Sequence, residues 1–190
     1  VLDISSVPFD VHPTVTAQIG RLAFEFNYWN PNCREFPLFV VAEEAHAYIP
    51  RDHVGGHQGT RRSFERIAKA GRKYAVGLCV VSQRPNELSE TVLAQCSSYI
   101  CLRISNPDDQ EYVRSLVPDS ARGILEALPS LAQGEAVAAG EAVPMPMRFQ
   151  VTMPAPPPNA QSIEYANMWA HGPEETDVEG IVDNWRKQRR

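Results

Sequence analysis

The residues best suited to chemistry lie in the run Leu38-Phe-Val-Val-Ala-Glu43-Glu44-Ala-His46, where five apolar residues lead into two adjacent carboxylates. Open α/β sheets hold their ligands beyond the C-terminal ends of strands, which is where this pair falls. Successive strand residues point to opposite sides, so the two acids can divide the work. Glu43 would hold Mg²⁺ through water, and Glu44 would orient or deprotonate an attacking water. Surface strands also end in acids, and that plainer reading stays open for these residues alone. A second run, Val80-Val-Ser82-Gln83-Arg84-Pro85, repeats the design of an apolar strand with a polar end. The Gln83 carboxamide both donates and accepts, which suits sensing of a nucleotide's state. A third element is Gly71-Arg72-Lys73, at the close of a helix carrying Arg62, Arg66, Lys69 and Lys73 on one face. For Arg62 and Arg66 a solvated charge stripe is the simpler account. Arg72 sits beside the turn into the second strand, from where a guanidinium could reach a neighbouring subunit's nucleotide and stabilise transition-state charge.

The elements that must position these residues read as follows. Val1 to Ser5 is a short β-prone run. Val11, Val15, Ile19, Leu22, Phe26 and Trp29 recur at spacings of three and four, predicting a helix with an apolar face. Pro37 to Ala42 reads as a strand buried on both sides, a loop covers 50–60, and a helix covers 60–74. Val76 to Ser82 is a second buried strand. A helix over 89–96 leads to a third apolar run, Tyr99 to Ile104. Asn106 is a good N-cap, with Pro107, Asp108 and Asp109 suited to a first turn, so helices are predicted over 107–117 and 119–128. Residues 134–139 and 143–151 read as an antiparallel hairpin. Strands alternating with helices imply an α/β fold with a mostly parallel sheet flanked by helices. The composition changes at Pro154-Ala-Pro-Pro-Pro158. We therefore divide the chain into a core, 1–153, and a Pro-rich linker with a C-terminal arm, 154–190. Trp169, Trp185 and the basic end Arg186-Lys-Gln-Arg-Arg190 would let the arm pack on the core or on a neighbouring subunit.

The 190 residues, 43% hydrophobic and 22% charged, suit a globular domain with a sizeable core. No apolar run approaches the roughly 20 residues of a membrane span, so a cytoplasmic protein is expected. The net charge of −5 gives no global basic footprint for nucleic acid, although a ring could concentrate a few inward-facing cations. Only Lys69, Lys73 and Lys187 of the 18 basic residues are lysines, as bidentate anion contacts favour and as an arginine-rich genome would also produce. Cys33, Cys79, Cys96 and Cys101 form no CxxC pair and read as buried, reduced thiols. His53 and His57 have the spacing of zinc ligands on a helix, but the intervening Val-Gly-Gly opposes a helix and hence a metal site.

Taken in order, EEAHAYIP, GRKYAVGLCVVSQRPNEL, LAQCSSYICLRISNPDD and LAQGEAVAAG resemble the HerA-type DNA-translocating ATPases of the HerA/FtsK group, over roughly residues 1–151. The resemblance implies the C-terminal half of a RecA-like core, in a hexameric ring on double-stranded DNA with ATP and Mg²⁺ between subunits. It matches Glu43 and Glu44 to the Walker B acids, Gln83 to the sensor and Arg72 to the arginine supplied in trans. Arg84 beside the sensor becomes a nucleotide-binding candidate. It also implies a nuclease or antiviral defence effector as partner, and an arm that braces a neighbouring subunit. No Gly-Lys dipeptide occurs, so the phosphate-binding loop is expected in a longer polypeptide, and these 190 residues alone should not hydrolyse ATP. Other readings are an inactive scaffold of the same fold, a related FtsK or conjugation-type pump, and a metal-dependent nuclease using Glu43, Glu44 and His46. The loop from Arg51 to Arg62 is a candidate DNA-facing segment.

Overall fold

The computed structural model describes residues 1–4, 7–51, 57–156, 165–172 and 176–187. The chain divides into two compact units, Val1–Thr152 and Met153–Arg190. His53, Gly55, Gly56, Pro157, Pro158 and the last three residues of the basic end lie outside the described residues, as does Ser5. Residues 1–4 are irregular, so the short strand predicted at the start is not formed there.

The first unit opens with helix α1 (His12–Trp29), with proline in its first turn. Strand β1 (Leu38–Ala42) follows, then helix α2 (Gln58–Ala70), a 3₁₀ turn (Gly71–Tyr74) and strand β2 (Val76–Val80). The two strands pair parallel, Leu38 opposite Val76 through Ala42 opposite Val80. Short helix α3 (Glu90–Leu93) leads to strand β3 (Ser98–Cys101). Helices α4 (Pro107–Leu116) and α5 (Asp119–Leu125) precede strands β4 (Glu135–Gly140) and β5 (Met147–Gln150). The cap read from sequence is made: the Asn106 side chain accepts from the backbone N–H of Asp108 at 2.8 Å and of Asp109 at 3.3 Å.

The third strand departs from the expected βαβ continuation. β3 pairs antiparallel with β4, and β4 antiparallel with β5, so the fold combines a parallel pair with a three-stranded antiparallel sheet. Alternation of strand and helix marks where strands occur. Which edge a strand joins depends on the hairpin of β4 and β5, which offers β3 a partner.

The core has two clusters. Phe24, Phe64, Ile67, Val76, Ile49 and Val92 fill the space among α1, α2 and the parallel pair. Val113, Leu125, Leu128, Leu131 and Val137 pack α4 and α5 on the antiparallel sheet. Burying a side chain such as Phe24 or Ile67 contributes about 2 kcal/mol.

Helix α1 corrects the sequence reading of its buried face. The apolar set is turned outward, with Leu22, Phe26 and Trp29 at 63%, 58% and 76% exposure, while Thr16, Gly20, Phe24 and Asn27 are buried. The small residues explain the choice. Gly20 lets α2 approach so closely that a β-carbon would lie 3.1 Å from the Phe64 ring. Thr60 Oγ1 donates to the Pro13 carbonyl at 2.6 Å, and Asn27 Nδ2 donates to the Phe36 carbonyl at 3.0 Å. Arg66 lies over Phe24, 4.2 Å from the ring centroid, and so packs as a cation–π partner as well as facing water. Strand β1 is likewise covered on one side only, with Phe39 and Val41 at 70% and 60% exposure. The four cysteines are free, as expected, but only partly buried.

The turn into β2 depends on Gly71, where a β-carbon would stand 2.3 Å from the Val76 carbonyl oxygen. That carbonyl is backbone, and the buried Ile67 Cγ2 lies at 3.3 Å beside it, so relaxation is costly. Gly71→Ala should destabilise the protein by about 1–3 kcal/mol in chemical denaturation. Gly123→Ala, on an open helix face with nothing within 4 Å, should be neutral or stabilising by up to about 1 kcal/mol.

Candidate functional site

The parallel register brings the two polar strand ends to one edge. Past the last paired residues, Val81 N–H donates to the Ala42 carbonyl at 2.8 Å, and Ala45 N–H donates to the Val81 carbonyl at 3.0 Å. These bonds carry the ladder one step beyond the strands and fix the turn at 43–45 against the turn at 81–84.

Glu43 and Glu44 lie just after β1, in that turn, and both side chains are exposed. Their divergence therefore comes from the turn rather than from strand alternation. Glu44 adopts φ 48° and ψ 42°, a left-handed conformation unfavourable for a residue with a β-carbon. Its carboxylate meets both neighbours: Gln83 Nε2 donates to Oε1 at 2.8 Å, and His46 Nδ1 lies 3.4 Å from Oε2. Tyr48 Oη donates to the Glu43 carbonyl at 2.9 Å and anchors the same turn. Burial, with the Glu43 and Glu44 carboxylates adding to it, pushes the Tyr48 hydroxyl up to about 12, so it keeps its proton and remains a donor.

Ser82 was not singled out by the motif reading, yet its hydroxyl is central to the turn. Its Oγ lies 3.0 Å from His46 Nδ1 and accepts the Arg84 N–H at 3.0 Å. Arg84 stands at the same edge, with its Nη1 paired to Glu87 Oε1 at 3.0 Å. The segment leaving this turn is pinned from below. Arg51 pairs with Glu90 and donates to Asn86 Oδ1 at 2.9 Å, while Ser89 Oγ donates to Glu65 Oε1 at 2.9 Å.

Arg72 is not part of this cluster. It is exposed in the turn before β2, at the opposite end of that strand from Gln83. The strand's five residues, at about 3.3 Å each, separate the two by roughly 15 Å. Arg72 therefore stands apart from the Glu44–Gln83 contact. In the segment read as DNA-facing, Arg51 and Arg61 are engaged in protein contacts: Arg61 donates to Glu65 at 2.7 Å and to the Arg51 carbonyl at 2.9 Å. Residues 52–56 of that loop lie outside the described residues.

Among the described residues no group of three or more His, Cys, Asp or Glu side chains could enclose a metal ion. Glu43, Glu44 and His46, the ligands of the nuclease reading, do not form such a group.

No family model matches the chain. The chain is 35% identical to the DNA double-strand break repair helicase HerA of Sulfurisphaera tokodaii over 97% of its length, and 36% identical to that of Pyrococcus furiosus over 82%. It spans only 38% and 26% of those two proteins. Among solved structures, the genome packaging NTPase B204 from Sulfolobus turreted icosahedral virus 2 in complex with ATP-gammaS shares the fold, with a TM-score of 0.55 at 14% identity. That match covers 80% of this chain and 66% of the viral protein. B204, the DNA-packaging ATPase from Sulfolobus turreted icosahedral virus, matches with a TM-score of 0.51 at 14% identity, covering 70% of this chain and 63% of that one.

Glu65 gives the scaffold of the site a pH dependence. Burial raises its carboxyl, but hydrogen bonds from Arg61 and Ser89, with the charges of Arg61 and Lys69, outweigh that and hold it below the usual range. A carboxyl depressed on folding stabilises the protein above its unfolded pKa, and that stabilisation is lost as pH falls through the folded value. Glu65→Gln should cost about 1–2 kcal/mol near neutral pH, and the difference from wild type should shrink in acid when denaturation is followed across pH.

Proposed function

We propose that this chain, a homologue of the HerA helicases over most of its length, is the water-activating half of an ATP-driven motor on double-stranded DNA. The observation that carries the reading is the Glu44 carboxylate held 2.8 Å from the Gln83 amide where two parallel strands end together. In this reading Glu44 accepts the proton of an attacking water, and Gln83 keeps the carboxylate directed at it. Glu43 holds Mg²⁺ through water, and Arg84, on the same edge, contacts the nucleotide. ATP when bound supplies the phosphoanhydride whose cleavage drives movement.

The position of Arg72 supports a ring. An arginine about one strand length from its own Glu44 serves hydrolysis only by reaching a neighbour's site, which requires subunits arranged head to tail. A hexamer of same-chain subunits around DNA, working with a nuclease or a defence effector, is the fuller form of the proposal. Phosphate binding belongs in this reading to a Gly-Lys loop elsewhere in the complete polypeptide, because none occurs among these residues.

In the full-length protein, Glu44→Gln should leave ATP binding intact and lower turnover by about 10²–10⁴-fold, the usual contribution of a positioned base. Near-normal turnover would show that the carboxylate is not the base and would overturn the assignment of Glu44. Arg72→Ala and Glu44→Gln subunits, each inactive alone, should recover turnover when mixed in one ring, because an intact Glu44 then meets an intact Arg72 from the adjacent subunit. Mixed rings no more active than either variant alone would refute action in trans.

A further inference from the structure

His46 is a motif residue that the reading above leaves without a task. Its ring sits in the 3₁₀ turn Ala45–Ala47, mostly buried, with Nδ1 3.0 Å from Ser82 Oγ and 3.4 Å from Glu44 Oε2. Both neighbouring atoms are oxygens. A lone pair on Nδ1 would face Oε2, whereas an N–H there presents a donor to it; the Ser82 hydroxyl donates or accepts and so suits either ring tautomer. Oε2 therefore favours the tautomer that carries the proton on Nδ1. The turn holding the ring is fixed by Ala45, which is wholly buried and donates to the Val81 carbonyl. The Ser82 hydroxyl, in turn, is fixed by the Arg84 N–H.

Glu44 needs such restraint. It is a half-exposed side chain on a backbone in the left-handed region, and an unrestrained carboxylate there would sample several rotamers. Gln83 holds Oε1, and one hydrogen bond leaves the carboxyl plane free to swing about that contact. A second donor at Oε2, from the other side of the turn, removes the freedom.

We infer that His46 is a positioning residue for hydrolysis: its Nδ1–H, braced by Ser82, clamps the second oxygen of Glu44 and fixes the plane in which that carboxylate meets water. The inference rests on Glu44 being the base, and it adds a dependence of turnover on one ring nitrogen and not on the bulk of the ring. The His46–Ser82 contact also joins the two strand ends, so a displacement of the sensor turn moves the base with it.

The test uses the full-length protein, steady-state ATP turnover and binding of a fluorescent ATP analogue. His46→Ala should lower turnover about 10-fold while the analogue's Kd stays within about twofold, as expected for lost orientation rather than lost binding. His46→Asn places an amide nitrogen where Nδ1 lies and should recover most of the rate. His46→Gln places its nitrogen where the other ring nitrogen lies and should not. Wild-type turnover in His46→Ala, or equal turnover in the Asn and Gln variants, would overturn the assignment. If His46→Ala fails to fold, the comparison of Asn with Gln decides the matter alone. Glu44→Gln separates the two levels: if it retains turnover, the base itself is misassigned, whereas an inactive Glu44→Gln beside a normal His46→Ala overturns only the clamp.

Discussion

The parallel pairing of β1 with β2 is the constraint on which the rest depends. Its register, Ala42 opposite Val80, ends both strands at one level, and two further backbone bonds carry that alignment into the turns. Side-chain period in a strand is two, so a slip of one residue would invert each face and send Gln83 away from Glu44. Glu44 and Gln83 are 39 residues apart in the chain, and no local interaction could hold them at hydrogen-bond distance.

The helices exist to hold that register. α2 connects the strands on one side, and Gly71 permits the tight reversal that starts β2 close beneath the helix end. α1 locks onto α2 through small and polar residues, with Asn27 tying the helix to the Phe36 carbonyl just ahead of β1. Arg61, Glu65, Ser89 and Arg51 tie α2 to the chain that leaves the sensor turn. The strained backbone at Glu44 is thus over-determined by its surroundings, as is usual where strain serves a site.

The antiparallel sheet of β3, β4 and β5 carries its own apolar cluster and lends little directly to the polar edge. α4 meets the site's support where Asp109 Oδ1 accepts the Asn86 N–H at 3.2 Å and where the Arg51 guanidinium lies over the Tyr112 ring, 5.4 Å from its centroid.

The sequence by itself determined the elements and the residue types at their ends. Apolar runs followed by Glu43-Glu44 and by Ser82-Gln83 identified two strands with polar ends, and Asn106-Pro107-Asp108 identified a capped helix. These are local properties, set by hydrophobic runs and by hydrogen bonds within a turn. Only the tertiary structure decided which face of α1 is buried, because Gly20 and Thr16 meet α2 more closely than Leu22 or Phe26 could. It decided that β3 joins the antiparallel hairpin, that Arg72 stands at the far edge, and that His46 and Ser82 close on Glu44. Each of these is a contact between residues distant in the chain, fixed by packing and register, and periodicity in a single sequence carries no record of a partner.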